Sequence, residues 1–189
     1  MIYQCTNQDF WLDEAADSLI EYLKKRPQGF DPKEEIVCSA GMTPSAPIHF
    51  GIFREAAITS FVTEELKRRG YNARFVYFWD DFDHFCKIPY FAQAEDVKEH
   101  TGKMLHEVPD FMQILNGKEA IGHARNLCDN SYGEHIMRDF EYNLAKCGIT
   151  PEYDYQANTY RNGTYNTYIE KALKNRKEIF DIFNELHKI

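Results

Sequence analysis

Cysteine pairs at metal or redox spacing, long apolar runs, an excess of basic charge and low-complexity tracts are all missing from this chain of 189 residues. Its five cysteines, Cys5, Cys38, Cys86, Cys128 and Cys147, stand apart and never as CxxC. That usage fits reduced thiols and gives no zinc signature, so no residue set is read as a metal site. No stretch approaches the roughly 18 apolar residues of a membrane span. The start, MIYQCTNQDFWLDEAADSLIEYLKK, lacks the basic-then-apolar order of a signal peptide, and the expected location is the cytoplasm. With 30 acidic residues against 22 lysines and arginines, the formal charge is -8, which argues against a generic polyanion-coating protein. What is present is a 43% hydrophobic, 15% aromatic composition. That is enough to bury one core, so a single domain over 1–189 is expected, with a small insert at about 84–125.

The apolar spacing sets a coarse α/β order. FWLDEAADSLIEYLKKR (10–26) is amphipathic, with Phe10, Ala15, Leu19, Ile20 and Leu23 on its apolar side. EIVCSAG (35–41) and ARFVYFW (73–79) have the dense apolar, β-rich character of buried strands. Between them, FGIFREAAITSFVTEELKRRG carries Phe53, Ala57, Phe61 and Leu66 on one face and stops at Gly70. Strand, helix, strand makes a βαβ unit and a parallel sheet. Ser131 to Cys147 is helical, opening on a Ser131…Glu134 capping pattern, and EYDYQANTY is a third strand candidate. A single amphipathic helix, TYIEKALKNRKEIFDIFNELHKI, ends the sequence. The expected architecture is a Rossmann-like parallel-sheet α/β fold in three layers, incomplete relative to a doubly wound domain with two such halves.

Four stretches carry chemistry. In GMTPSAPIHFGIFRE (41–55), a strand ends at Gly41, two prolines stiffen a turn, and His49 falls at the first turn of a helix. Ligands of open α/β sheets sit at the carboxyl ends of strands, and anions meet helix N-termini. Gly41 permits close approach of a phosphate, His49 donates to a phosphate oxygen, and Gly51 leaves room for an adenine or ribose. A proline-rich connector whose histidine caps a helix is the equal alternative. In YFWDDFDHFCKIP (77–89), Asp80, Asp81 and Asp83 cluster at a strand end and call for a cation: a metal ion, a substrate ammonium, or protein Arg and Lys. The alternative is a solvated acidic loop. NSYGEHIMRDF (130–140) sets Tyr132, His135 and Asp139 along one side of a helix, with Glu134 beside them, as a pocket wall or simply a capped helix. NTYRNGTYN (158–166) is a tyrosine-rich turn around Gly163 that walls a pocket or packs the sheet edge. The other histidines, His84, His100, His106, His123 and His187, have no motif around them and are expected on the surface or in loops.

In this order, SAGMTPSAPIHFGIFREA, ARFVYFWDDFDHFCKIP, SYGEHI and YRNGTYNTYIEKAL resemble the class I lysyl-tRNA synthetases. That family carries a TPSG-P-HIGN-RE loop, a DDFD-P-RK-P segment, a SY-EH helix start and a Y-x-x-G-x-Y segment, so the likeness covers about residues 10–188. It implies a HIGH-class Rossmann catalytic fold, with ATP and Mg2+ used to activate lysine, or a related cationic amino acid, as the adenylate before transfer to tRNA. Pro44, His49 and Gly51 match the ATP signature, with Thr43 and Ser45 lining the same pocket and His49 as the catalytic residue. Asp80, Asp81 and Asp83 match the acidic segment that would pair the substrate ammonium. Tyr132 and His135 match the helix bordering the amino-acid pocket.

This chain departs from that pattern at several points. It has Ala46 for the family's glycine, Ile52 for a polar residue, and His84 and Phe85 for proline and leucine. No KMSKS-type lysine loop, zinc-bearing insert or anticodon-binding domain occurs in it. A piece of a longer synthetase, a stand-alone paralogue and one subunit of a split enzyme all remain open. The second functional reading is a non-catalytic paralogue that binds an amino acid, a nucleotide or a partner subunit. Binding of tRNA by this acidic chain unaided is expected to be weak.

Overall fold

The structure is a computed structural model that describes residues 10–88, 97–110 and 131–187. Helix α1 (Trp11–Lys24) buries Ala16, Ile20 and Leu23, while Phe10 stays half exposed just before it. Strand β1 (Ile36–Met42) leads through the proline turn into α2 (Phe50–Arg68), and β2 (Ala73–Trp79) follows. After residue 131 come α3 (Tyr132–Lys146), β3 (Glu152–Tyr155) and α4 (Gln156–Arg161). Two further helices, α5 (Asn166–Lys174) and α6 (Arg176–Leu186), complete the order.

The three strands form one parallel sheet in the order β1-β2-β3, the α/β Rossmann-like arrangement expected. Ile36 pairs with Ala73 and Met42 with Trp79, so the carboxyl ends of β1 and β2 are level. Helix α2 lies on the sheet through Ala56 and Ala57, residues small enough for close approach. Those alanines, rather than the predicted Phe61, set its buried face; Phe61 is 49% exposed. The main cluster joins them to Tyr77, Trp79, Phe140 and Leu144, with Tyr77 and Trp79 rings 5.0 Å apart. A second cluster under the site gathers Phe85, Val97, Leu105, Val108, Tyr132 and Ile136. A third, Ala16, Ile20, Leu23, Ile36, Leu66 and Ala73, glues α1 to the base of the sheet.

Two elements differ from the sequence reading. The third strand stops at Tyr155, because the Asp154 carboxylate accepts from Gln156 Nε2 (3.2 Å) and Thr159 Oγ1 (3.0 Å), turning the chain into α4. The last amphipathic segment is broken once, at Asn175, into α5 and α6. Of the expected insert, 89–96 and 111–125 lie outside the described residues. Its described part holds a bridge between His84 and Met104 and two short turns, Lys98–His100 and Leu105–Glu107.

Candidate active site

β1 ends in a turn that leaves His49 extended (φ -102, ψ 166) as the N-cap of α2. The imidazole folds back, and its Nδ1 accepts a hydrogen bond from the Gly51 N–H at 3.1 Å. An N-cap side chain normally satisfies one of the orphan N–H groups at a helix start, and histidine does so here. An accepting Nδ1 carries no proton, which leaves Nε2 as the nitrogen able to donate to a ligand. Gly51 makes this possible, since a Cβ there would sit 2.8 Å from Cε1 of the His49 ring. The space at Gly51 is thus filled first by the histidine. At Gly41 a Cβ would meet the Phe78 carbonyl oxygen at 2.5 Å, so glycine there serves the close approach of β1 to β2.

The loop after β2 lies beside this turn. Thr43 Oγ1 donates to Asp83 Oδ2 at 3.1 Å, joining the two strand exits. The three aspartates separate by role. Asp81 is 5% exposed, and its Oδ1 accepts the Ala157 N–H at 2.8 Å, which anchors the start of α4. Burial raises its carboxyl above the usual range, and the Ala157 bond partly offsets this. Asp80 remains exposed on the surface, and partial desolvation, then repulsion from Asp83 and Asp81, pushes its carboxyl up. A carboxyl raised this way gains most from a bound cation.

Tyr132 and His135 are buried supports. The Tyr132 hydroxyl donates to the Ser45 carbonyl at 3.0 Å, holding the proline turn against α3. His135 Nδ1 lies 3.0 Å from Asp110 Oδ2, and the two side chains are 5% and 6% exposed. Helix α3 starts as expected, with Ser131 Oγ accepting the Glu134 N–H at 3.2 Å, and Pro44 is buried in the turn beneath. Ser45 is exposed.

The sequence reading missed a polar cavity of about 200 Å³ between α3, α4 and the loop after β2, lined by Asp81, His106, Glu134, Arg138, Tyr155 and Arg161. His106 and Arg161 are in hydrogen-bond contact across it, 55 residues apart. The signal available was Arg161 inside the tyrosine turn, whose Tyr160 stacks on Phe82 with centroids 4.9 Å apart. That turn therefore packs against the acidic loop. Among the described residues no three His, Cys, Asp or Glu side chains converge as a metal site, and no helix is long and apolar enough to cross a membrane.

Comparison with known proteins supplies the lineage. The family described as tRNA synthetases class I (K) matches residues 9–188. Lysine–tRNA ligase of Pyrococcus horikoshii is 34% identical over 179 residues, covering 95% of this chain and 30% of that protein. The Treponema pallidum lysine–tRNA ligase is 34% identical over 190 residues, covering 98% of this chain and 32% of its own length. That of Streptomyces coelicolor is 29% identical over 187 residues. The chain spans 30–32% of the length of the first two curated relatives. The match runs through nearly all of the sheet, the turn and the acidic loop just described. This chain belongs to the lysine-type class I tRNA synthetase family.

Proposed function

We propose that this chain binds ATP and lysine side by side and takes part in forming lysyl-adenylate. One observation carries the reading: the Thr43–Asp83 hydrogen bond ties a histidine-capped helix N-terminus to a pair of accessible carboxylates at the next strand end. A helix N-terminus favours phosphate and carboxylates favour an ammonium, so the two loops suit the two substrates of amino-acid activation. The lysine α-carboxylate oxygen attacks the α-phosphorus of ATP, a P–O bond forms, and the bond to pyrophosphate breaks. His49 donates its Nε2–H to a phosphate oxygen where charge develops, and the end of α2 adds positive potential. Asp80 and Asp83 pair the substrate's ammonium. Gly41, Thr43, Pro44, Ser45 and Gly51 form and support the nucleotide side, while Asp81, Tyr132 and His135 hold the amino-acid side in shape. Mg2+ enters with the triphosphate, since that ion prefers phosphate oxygens and one or two carboxylates over an all-protein cage.

Transfer of the lysyl group to tRNA belongs to the whole ligase and draws on parts of the relatives that this chain does not span. Calorimetry with ATP and lysine, followed by lysine-dependent ATP–pyrophosphate exchange, tests the proposal. Binding of both is expected, with His49→Ala weakening ATP by about tenfold or more. Binding of neither ligand rules the reading out. A second reading, a non-catalytic paralogue, is favoured by Ile52, which packs against the core cluster and offers the nucleotide no donor. Tight binding with no exchange would select it.

A further inference from the structure

The loop after β2 turns its carboxylates to opposite sides. Asp83 accepts from the Thr43 hydroxyl beside the nucleotide turn, while Asp81 accepts from the Ala157 N–H at the start of α4. The polar cavity of about 200 Å³ lies on the Asp81 side, and none of Thr43, His49, Asp80 and Asp83 lines it. It therefore has no part in the reaction proposed above.

Two carboxylates form the inner wall of this cavity. Asp81 is 5% exposed, and Oε2 of Glu134 is buried with no hydrogen-bond partner. A carboxylate oxygen kept from water and left unpaired is costly. Two exposed guanidiniums, Arg138 and Arg161, line the cavity on its open side. Arg138 reaches Glu141 only at 3.4 Å, and among the described residues the one side-chain partner of Arg161 is Nε2 of His106. Arginine can only donate, so that nitrogen accepts and the His106 ring is neutral. A neutral ring gives a guanidinium a single bond, where a carboxylate gives two charge-assisted ones. The inner wall thus lacks a donor and the open side lacks an anion.

We propose that this cavity is a second amino-acid site, separate from the substrate site, that takes a small α-amino acid as its zwitterion. The ammonium goes inward to Glu134 Oε2 and Asp81, and the carboxylate stays at Arg161, which exchanges its His106 contact for the stronger one. Charge selects this ligand over simpler ones. A bare cation in the cavity meets two guanidiniums, and a bare anion meets two carboxylates. Only a molecule with both charges close together satisfies the two walls at once. Size limits the side chain: with ~30 Å³ per water-sized group, the cavity has room for about six or seven non-hydrogen atoms, the scale of alanine. Met137 and Ala157 supply the apolar lining that a methyl group would touch. Burial already raises the Asp81 carboxyl, so an ammonium beside it relieves an existing cost.

A titration of the nitrogen-15-labelled full chain with alanine, followed by nuclear magnetic resonance without ATP, tests the proposal. The Glu134 and Ala157 amides report from the two helices that wall the cavity. Saturable binding in the millimolar range is expected, with both amides shifting. Methylammonium and acetate, each carrying one of the two charges, should bind at least about tenfold more weakly. Glu134→Gln and Arg161→Met should each weaken alanine by about tenfold, and Arg161→Lys should restore part of the loss. Glu134→Gln keeps the backbone N–H that Ser131 caps, and Arg161 is exposed, so both variants should fold, as circular dichroism will check. Asp80→Asn, outside the cavity, should leave the alanine titration unchanged. The proposal is overturned by no saturable alanine binding, by acetate or methylammonium binding as tightly as alanine, by indifference to both cavity substitutions, or by loss of binding in Asp80→Asn. Binding of ATP and lysine is read in separate titrations, so its absence would count against the proposed function and not against this cavity.

Discussion

Gly51 sets helix stability against ligand binding. Alanine inside a helix is favoured over glycine by about 0.5–1 kcal/mol. Yet a Cβ at 51 would lie 2.8 and 2.9 Å from the His49 ring, which must swing out of its capping position. Because the lost cap offsets the alanine gain, Gly51→Ala is expected to leave the melting temperature nearly unchanged, while ATP affinity falls about tenfold. A joint measurement by thermal unfolding and calorimetry separates the two. Lost stability with unchanged affinity would show that the histidine only caps. Legibility in the sequence differs among the site residues for the same kind of reason. His49, Gly51 and the aspartates are visible because they are local to one turn or one strand end. The Thr43–Asp83, Tyr132–Ser45 and His135–Asp110 contacts span 40, 87 and 25 residues. No periodicity reports such distances, so whether Tyr132 and His135 face a pocket or support it was not readable.

Among the elements, the long ones were legible and the short ones were not. α2 and β2 follow from their long apolar-rich runs, whereas the tyrosine alternation in EYDYQANTY reads as a strand throughout, and the Asp154 bonds to the Gln156 and Thr159 side chains lie where the chain leaves it. The joint between α1 and α2 shows what a mid-sized element gains from charge. Glu65 accepts from Arg68 Nε at 2.7 Å and from Arg69 Nε at 2.6 Å, while Arg69 reaches across to Asp13 and Asp17 on α1. These two guanidinium hydrogen bonds hold the Glu65 carboxyl down at about 2, from an ordinary 4.5. A depressed carboxylate stabilises the folded state fully above its unfolded pKa and loses that contribution as the pH falls through its folded value. The wild-type chain should thus be more stable than Glu65→Gln at pH 7. The gap in melting temperature should close between about pH 4.5 and 2. A gap that persists unchanged at pH 2 would assign the effect to packing instead.

For the molecule as a whole, stability is unevenly spread. Three apolar clusters fix α1, α2, α3 and the sheet, but α5 and α6 contain no buried residue at all. Tyr168, Leu173, Phe180, Phe183 and Leu186 are each more than half exposed along them. Helices of nine and eleven residues are marginal in water without a packed face. Local opening costs least where few apolar contacts form, and proteolysis follows that opening. Trypsin should therefore cut first at Lys171, Lys174, Arg176 and Lys177, ahead of Lys67, Arg68 or Arg74 in the clustered body. Mass spectrometry over a short time course would identify the sites. The trimmed body should keep its ATP affinity, because every residue assigned to the nucleotide side lies between 41 and 51. Early cleavage in α2 or β2 would mean that the clusters do not confer the stability argued for them. Loss of ATP binding upon trimming would mean that the exposed helices help form the nucleotide site.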